Sequence, residues 1–534
     1  MQTFVIILYL VTLGALALYG IHRSALLVLY VRHRRERTEP SARFEEADLP
    51  RVTVQLPMFN EMYVAERLIR AASNIDYPRG RLEIQVLDDS TDATSTIARA
   101  TCASLHSEGV DVVYLHRQDR TGYKAGALAE GAERAKGELL IVFDADFVPG
   151  PSIVRDLVHF FVDPQVGMVQ ARWAHLNRTH SLLTRCQAML LDGHFVIEHS
   201  ARHRSGRFFN FNGTAGMWRK STIADAGGWQ HDTITEDMDL SYRAQLRGWK
   251  FVYVPHVSAP AELPCDMTSF KSQQYRWAKG AMQTATKLLG PIMRAPVPRK
   301  VKQEAFFHLT NNVAYVFLLV LALLQLPNMI LRRQMEHPEL LMLDVPLFFA
   351  TCGSVALFYI TAHRDLYGNR WQAVKQLPVM MALGIGLSIN NARAALEGIF
   401  GRDVEFVRTP KRGVIDGKAA KPSRYRGRWP WHNILEIVFG LYCTATLTIA
   451  LVTQSWASVP FVLLFSAGFL YVGCISLYET VGVRFRRVTA EAFRQGDAIA
   501  SCHCDAVASC HCDAVASTQL PSTHSSPSPQ SMLS

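Results

Sequence analysis

The sequence predicts an α/β domain on a parallel sheet, joined to a set of membrane-spanning helices. Three observations carry this. From Arg51 to Phe143, short runs of Val, Ile, Leu and Phe alternate with helical stretches, the pattern of a sheet covered on both faces. Hydrophobic residues make up 49 % of the 534-residue chain and mean hydropathy is slightly positive, both high for a soluble enzyme. The apolar residues are also uneven: they crowd into the first thirty positions and into about 305–480.

In chain order, residues 3–31 are apolar except His22 and Arg23, and Arg32, Arg34, Arg35 and Arg37 follow. No small-residue cleavage site stands out, so 1–31 reads as a retained anchor. The body, 32–305, opens with a strand at Val52–Leu56, a helix at Glu61–Asn74 and a strand at Leu82–Leu87. A helix at Asp92–Leu105, a strand at Val112–Leu115, a helix at Gly122–Lys136 and a strand at Leu139–Phe143 come next. Further spans read at about 309–330, 345–362, 433–453 and 458–480, each near the roughly 20 residues that cross a bilayer. The segment 377–399 is apolar but carries Asn390, Asn391, Arg393 and Glu397. If it spanned, the basic loop 402–428 would lie outside, against the positive-inside tendency. As an interfacial or re-entrant helix it keeps that loop in the cytoplasm. The division expected is an anchor (1–31), a cytoplasmic body (32–305), a helix pair (306–362), an interfacial segment (363–431), a second pair (432–480) and a disordered cytoplasmic tail (481–534).

The formal charge is +10. Much of it flanks apolar segments, as Arg484, Arg486 and Arg487 do after the last one, which fits anionic lipid. No interleaved aromatic motif supports nucleic acid as a partner. The ten cysteines form no secreted disulfide framework, so a reducing compartment fits. The tail repeats the octapeptide Ser501–Ala508 as Ser509–Ala516. Its Cys and His residues can ligate a soft metal, but a disordered duplicated tail explains them without one.

Four motifs stand between the anchor and the later spans. Asp144-Ala145-Asp146 follows the apolar run Ile141-Val142-Phe143. Mg2+ and Mn2+ take one or two carboxylates plus phosphate oxygens, so Asp144 and Asp146 can hold such an ion against a nucleotide diphosphate. An isolated pair would equally serve as a turn cap. Asp88 and Asp89 also follow an apolar strand, and in such sheets ligands bind at the strands' carboxyl ends. At least one of the two is expected to contact a nucleobase or ribose, while Asp92 reads as the cap of the next helix. Gly122-Tyr123-Lys124 opens a helix, so Lys124 can face a phosphate or simply be solvated. Thr235-Glu236-Asp237 leads into a helix. Asp237 can take a proton from an acceptor hydroxyl, and Glu236 and Asp237 also suit the helix dipole. In Gln273-Gln274-Tyr275-Arg276-Trp277, Arg276 can grip a leaving phosphate and Trp277 offers a flat face to a sugar ring.

Taken in order, these motifs make the chain resemble the family-two inverting glycosyltransferases of the cellulose-synthase-like superfamily. Gln170-Ala171-Arg172-Trp173, Phe211-Asn212-Gly213-Thr214-Ala215-Gly216, Ala226-Gly227-Gly228-Trp229, Thr235 to Leu240 and Gly248 to Tyr253 are similar to the glucomannan (β-1,4-mannan) synthase branch. Phe406-Val407-Arg408-Thr409-Pro410-Lys411 is similar to the gating loop of cellulose synthases, which carry Val where Arg408 stands. No cyclic-dinucleotide-binding domain of the bacterial cellulose synthase kind is expected in the low-complexity tail.

The resemblance implies an α/β GT-A (Rossmann-like) cytoplasmic catalytic domain plus an α-helical transmembrane region. It implies a divalent metal, Mg2+ or Mn2+, held by Asp144 and Asp146, and a nucleotide-sugar donor, GDP-mannose or UDP-glucose. Asp88 or Asp89 would contact the nucleotide and Asp237 would be the base. Gln273, Arg276 and Trp277 would line the acceptor and phosphate region. The function expected is processive elongation of a β-1,4-glucan, mannan or glucomannan in a multi-pass membrane protein, with a bacterial inner membrane as its place. The alternative is transfer of one sugar to a diacylglycerol or ceramide. Membrane lipid and a growing glycan or lipid acceptor are the other partners.

Overall fold

A computed structural model of the chain describes residues 2–334, 346–401, 411–415 and 431–480. Seven strands form one sheet: β1 (Val52–Met58), β2 (Leu82–Asp88), β3 (Val112–His116), β4 (Leu139–Val142), β5 (Val166–His175), β6 (Gly216–Arg219) and β7 (Lys250–Ala261). Their order is β3-β2-β1-β4-β6-β5-β7. The first four pair in parallel. β6 runs antiparallel to both β4 and β5, and β5 and β7 pair in parallel. The sheet is therefore mixed, where the alternation of apolar runs predicts a purely parallel one. The reversal lies in β6, a strand of only four residues, too short to show a period of its own.

Alternate residues of each strand serve the two faces of the sheet. Val52, Val54 and Leu56 pack with Ile84, Val86, Leu68 and Ile69 in one core. Leu140 and Val142 join Leu128, Phe211, Trp218 and Tyr253 in another. Between them the polar members pair across strands: Thr53 Oγ1 donates to Glu83 Oε2 at 2.6 Å and Gln55 Nε2 to Gln85 Oε1 at 3.1 Å. Both pairs are buried yet bonded, as burial of polar groups requires. The helix Ala93–Ser107 starts under the Asp92 carboxylate, which accepts the Thr94 amide at 2.9 Å, the cap read from sequence. The preceding helix begins only at Ala65, not at Glu61. Glu61 lies in the turn after Asn60, whose φ is 55°, and this turn releases it to the cleft described below.

Among the described residues, five helices are long and apolar enough to cross a membrane: Gln2–His33, Arg299–Gln334, Pro346–Tyr367, Asn433–Val452 and Val459–Thr480. Many of their large side chains point outward, among them Phe4, Ile7, Val11, Leu357, Val438 and Leu463, as a lipid-facing surface needs. Arg370–Gly386 and Ser388–Phe400 form a pair bent by 46°. Asn390 and Asn391 are buried, and the Asn390 amide donates to Lys271 O and Asn391 Oδ1. The two asparagines of this segment therefore face protein, while Arg393 is exposed.

The helix Met267–Arg294 joins the two regions. Met267 and Phe270 in its first turns pack with Leu183, Cys186 and Met189 and with Met380 and Leu383 of the bent pair, and Lys271 reaches into the later spans. Lys271 Nζ lies 2.5 Å from Glu436 Oε1 and 2.8 Å from Asn433 Oδ1, all three buried. The basic loop 402–428 falls outside the described residues except for Lys411–Ile415, and the Cys/His repeat of the tail falls wholly outside them.

Candidate active site

One cleft opens at the carboxyl ends of β1, β2 and β4. Its wall includes Met58 at the end of β1 and Phe59 after it, Asp89 after β2, and Asp144 to Phe147 after β4. This is where an open α/β sheet exposes unpaired strand ends to a ligand. Lys124, Asn212, Gly213, Glu236, Asp237, Gln273, Arg276 and Trp277 close it.

The adjacent acids Asp88 and Asp89 part company. Asp88 is the last residue of β2 and is fully buried. Its carboxylate accepts the Tyr114 hydroxyl at 2.6 Å and the Ser90 amide at 3.0 Å, and His116 Nδ1 stands 3.2 Å away. It holds β2 to β3 and does not line the cleft. Asp89 does reach the cleft, and the Arg117 guanidinium grips it in a fork at 2.7 and 2.5 Å. Arg117 also donates to Tyr123 O at 2.9 Å, so Asp89 anchors the turn that delivers Lys124.

Lys124 follows Gly122 and Tyr123, both at positive φ. Its ammonium lies 2.6 Å from Asp144 Oδ1 and 2.8 Å from Gly213 O. Burial works against this charge, but Asp144 and Glu236 outweigh it and raise the pKa above the ordinary lysine value. Asp146 is paired in the same way: Lys411 Nζ stands 2.5 Å from Asp146 Oδ2. Each acid of the Asp144/Asp146 pair thus carries a lysine ammonium where a cation would sit. Two carboxylates and phosphate oxygens suffice for Mg2+ or Mn2+, so the pair fits such an ion. Among the described residues no cluster of three or more His, Cys, Asp or Glu offers a complete cage.

The floor is the turn from Phe211 to Ala215. Gln170 supports it from β5: its Oε1 accepts the Asn212 amide at 3.1 Å and its Nε2 donates to Thr214 O and Ala215 O. The Asp144 amide donates to Thr214 Oγ1 at 2.9 Å. Gly213 has φ +78°, and a Cβ there would sit 2.9 Å from Asp237 Oδ2 and 3.4 Å from Lys124 Nζ. Only glycine lets the backbone come this close.

Asp237 lies in the first turn of the helix Glu236–Leu246. Burial, and then the charge of Glu236, raise its carboxyl pKa to about 7, although Lys124 and the Met238 amide work the other way. Burial also raises Glu236, with Lys124 opposing. Thr235 makes no capping bond; its hydroxyl lies 3.2 Å from that of Thr284. Gly280 permits this approach, since a Cβ there would meet Thr235 Cγ2 at 2.5 Å.

Gln273, Arg276 and Trp277 stand three and four residues apart on the Met267–Arg294 helix and so share one face. Burial pulls the Arg276 guanidinium down to about 10, against the pull of Asp144 and Glu236, which leaves it charged at neutral pH. The Trp277 ring lies 6.4 Å from that of Trp173, which in turn meets Phe147 edge-on at 5.3 Å. These rings give one side of the cleft an aromatic wall.

Trp173, Glu61, Asn212 and Lys411 also line the cleft, and sequence reading gives none of them a role. Trp173 and Asn212 were visible only inside motif-like stretches. Lys411 is 265 residues from Asp146, and no spacing rule joins such positions. The rest of the gating-loop-like stretch, Phe406 to Pro410, lies outside the described residues.

Residues 50–280 match the family described as "Glycosyltransferase like family 2". Glucomannan 4-beta-mannosyltransferase 7 of Arabidopsis thaliana is 33% identical over 441 residues, covering 78% of this chain and 76% of the relative. Glucomannan 4-beta-mannosyltransferase 2 of the same plant is 37% identical over 402 residues, covering 73% and 72%. Among solved structures, a mannosyltransferase from Pyrobaculum calidifontis in complex with GDP-Man and Mn2+ superposes with a TM-score of 0.51 at 19% identity. That match covers 75% of this chain and 99% of the other. At that identity the likeness is one of fold, the GT-A fold.

Proposed function

Since the chain belongs to the family-two glycosyltransferases of the cellulose-synthase-like superfamily, on the branch of the glucomannan 4-beta-mannosyltransferases, we propose that it elongates a β-1,4-linked mannan or glucomannan with GDP-mannose as donor. The observation that carries this reading is the convergence of Asp89, Asp144, Asp146, Asp237, Arg276 and Trp277 on one cleft, together with relatives that share about three quarters of their length.

In this reading the nucleotide lies against the Asp89 edge, and its diphosphate faces Lys124, Lys411 and Arg276. Asp144 and Asp146 hold Mg2+ or Mn2+, which when bound supplies charge for the leaving diphosphate. The two lysines then exchange carboxylate for phosphate partners. Asp237, with a pKa near 7, is matched to accept the proton of an acceptor hydroxyl at neutral pH. One in-line displacement inverts the anomeric carbon. Arg276 stays protonated throughout and offers planar, forked donors to a phosphate. Trp277, with Trp173 beside it, gives the acceptor ring an apolar face.

The spans belong to a multi-pass membrane protein, and we place the sheet domain on the cytoplasmic face because the anchor leads into Arg32, Arg34, Arg35 and Arg37. The bacterial inner membrane expected from sequence finds no support among the plant relatives named above. The lipid-acceptor alternative is not favoured by them either, since their names specify a glucomannan product.

A donor panel tests the assignment. Membranes holding the protein are given labelled GDP-mannose, GDP-glucose, UDP-glucose and UDP-GlcNAc with Mg2+ or Mn2+. Incorporation from GDP-mannose is expected to exceed all the rest. Incorporation from UDP-glucose alone would overturn the donor, and none from any donor would overturn transfer.

A further inference from the structure

A line of buried and half-buried polar groups runs from the amino-terminal membrane helix to the floor of the cleft. His22, in the carboxyl-terminal half of Gln2–His33, lies 3.1 Å from Glu304 Oε2. Arg202 Nε donates to Glu304 Oε1 at 2.8 Å, and its Nη1 stands 3.3 Å from Glu198 Oε2. His194 Nδ1 is 2.9 Å from the same Glu198 oxygen. His194 Nε2 is 3.0 Å from Asn212 Nδ2, and His199 Nε2 is 2.6 Å from Asn212 Oδ1. Asn212 and Gly213 line the cleft, and Gly213 O accepts from Lys124, the partner of Asp144.

The chemistry of each link sets the next. Glu198 accepts from His194 Nδ1–H, which leaves Nε2 as the acceptor for the Asn212 amide. His199 then donates through Nε2 to the Asn212 oxygen. Both ends of the amide are fixed, so its orientation is set by groups outside the cleft. Local backbone makes this possible. His194–His199 is a π-helical turn, whose i→i+5 repeat puts residues five apart on one face. The rings of His194 and His199 therefore stand 4.4 Å apart over the same asparagine. Glu304, Arg202 and His199 are all buried, where a broken link leaves a charge or dipole without compensation.

We infer that the amino-terminal membrane helix positions the cleft floor through His22, Glu304, Arg202, Glu198 and His194, and that Asn212 is the residue this line serves. His22 and Glu304 are positioning residues: neither touches the cleft. The anchor is then part of the working site rather than a tether alone. The kinetic test rests on the transfer reading above; the exchange test does not.

Two measurements on the full-length protein test it. In membranes with labelled GDP-mannose, His22→Ala and Asn212→Ala should each lower kcat about tenfold with little change in donor KM. The double variant should be no slower than the slower single one, because both remove the same device. His22→Gln, which keeps a donor for Glu304, should restore most of the rate. Losses that multiply in the double variant, or wild-type rates in His22→Ala, would overturn the coupling. In detergent, hydrogen exchange of the amides at 209–216 should quicken in His22→Ala while those of β2, at 82–88, stay unchanged. Equal exchange at 209–216 in both proteins would overturn the inference whether or not the protein transfers mannose.

Discussion

The Asp237 carboxyl owes its raised pKa to its surroundings. An exposed aspartate titrates near 4, whereas burial and the neighbouring Glu236 bring this one to about 7. As the proposed base, Asp237 works only when deprotonated, so kcat/KM should rise with pH, pass half its plateau near pH 7 and level off about a unit above. Glu236→Gln removes a charge that raises Asp237, and the limb of the profile should move to lower pH. An unmoved limb would show that another group titrates there. Asp237→Asn should cost about 10²–10⁴ in kcat while donor binding, read by isothermal titration with the nucleotide sugar, persists. Of the acids that suggested this site, Asp144 and Asp146 stood out because carboxylates directly after apolar strands have little packing use, whereas Asp237 at a helix start also suits the dipole and stood out only through its motif. The doublet Asp88-Asp89 was not resolvable from sequence. Successive residues at a strand end point to opposite sides, and only the pairing with Tyr114 and His116 on β3 shows that Asp88 is the one turned inward.

At the scale of elements, two backbone decisions build the cleft. The first is the turn at Gly213. Alanine there puts Cβ within 2.9 Å of Asp237 Oδ2 at a φ of +78°, and a left-handed non-glycine residue costs roughly 1–2 kcal/mol. Gly213→Ala should therefore lower transfer strongly while the protein still inserts and purifies, with the loss read in kcat. The second is the helix Met267–Arg294, which carries Gln273, Arg276 and Trp277 on one face and Lys271 against the later spans. Lys271→Ala leaves Glu436 buried and unpaired, at a cost of about 3–5 kcal/mol, and should lower the melting temperature in detergent markedly. Lys271→Met with Glu436→Leu should recover most of that loss, since apolar replacement of a buried pair is often neutral. The parallel half of the sheet was legible in the sequence because its strands are long apolar runs separated by helices. The second half was not: β6 is four residues long and reverses direction on the strength of tertiary pairing. The bent pair Arg370–Gly386 and Ser388–Phe400 showed its polar half in sequence, but its partners Lys271 and Tyr275 came only from the fold; the Tyr275 hydroxyl donates to Glu397.

Across the whole molecule, the sheet domain and the apolar helices share polar contacts at several points. Lys271 ties the helix bearing the Arg276/Trp277 face to the Asn433–Val452 span, and His22 ties the anchor to the cleft floor through Glu304. A site wired to its membrane helices at both ends suits an enzyme whose product leaves through or along the membrane. The size of the product tests whether this enzyme does so. Membranes are incubated with labelled GDP-mannose and a divalent ion, then extracted with chloroform and methanol, and the residue is sized and treated with an endo-β-1,4-mannanase. Label is expected in a high-mass, solvent-insoluble, mannanase-sensitive product that disappears in Asp237→Asn. Label confined to the chloroform-soluble fraction as a single-sugar lipid would contradict it.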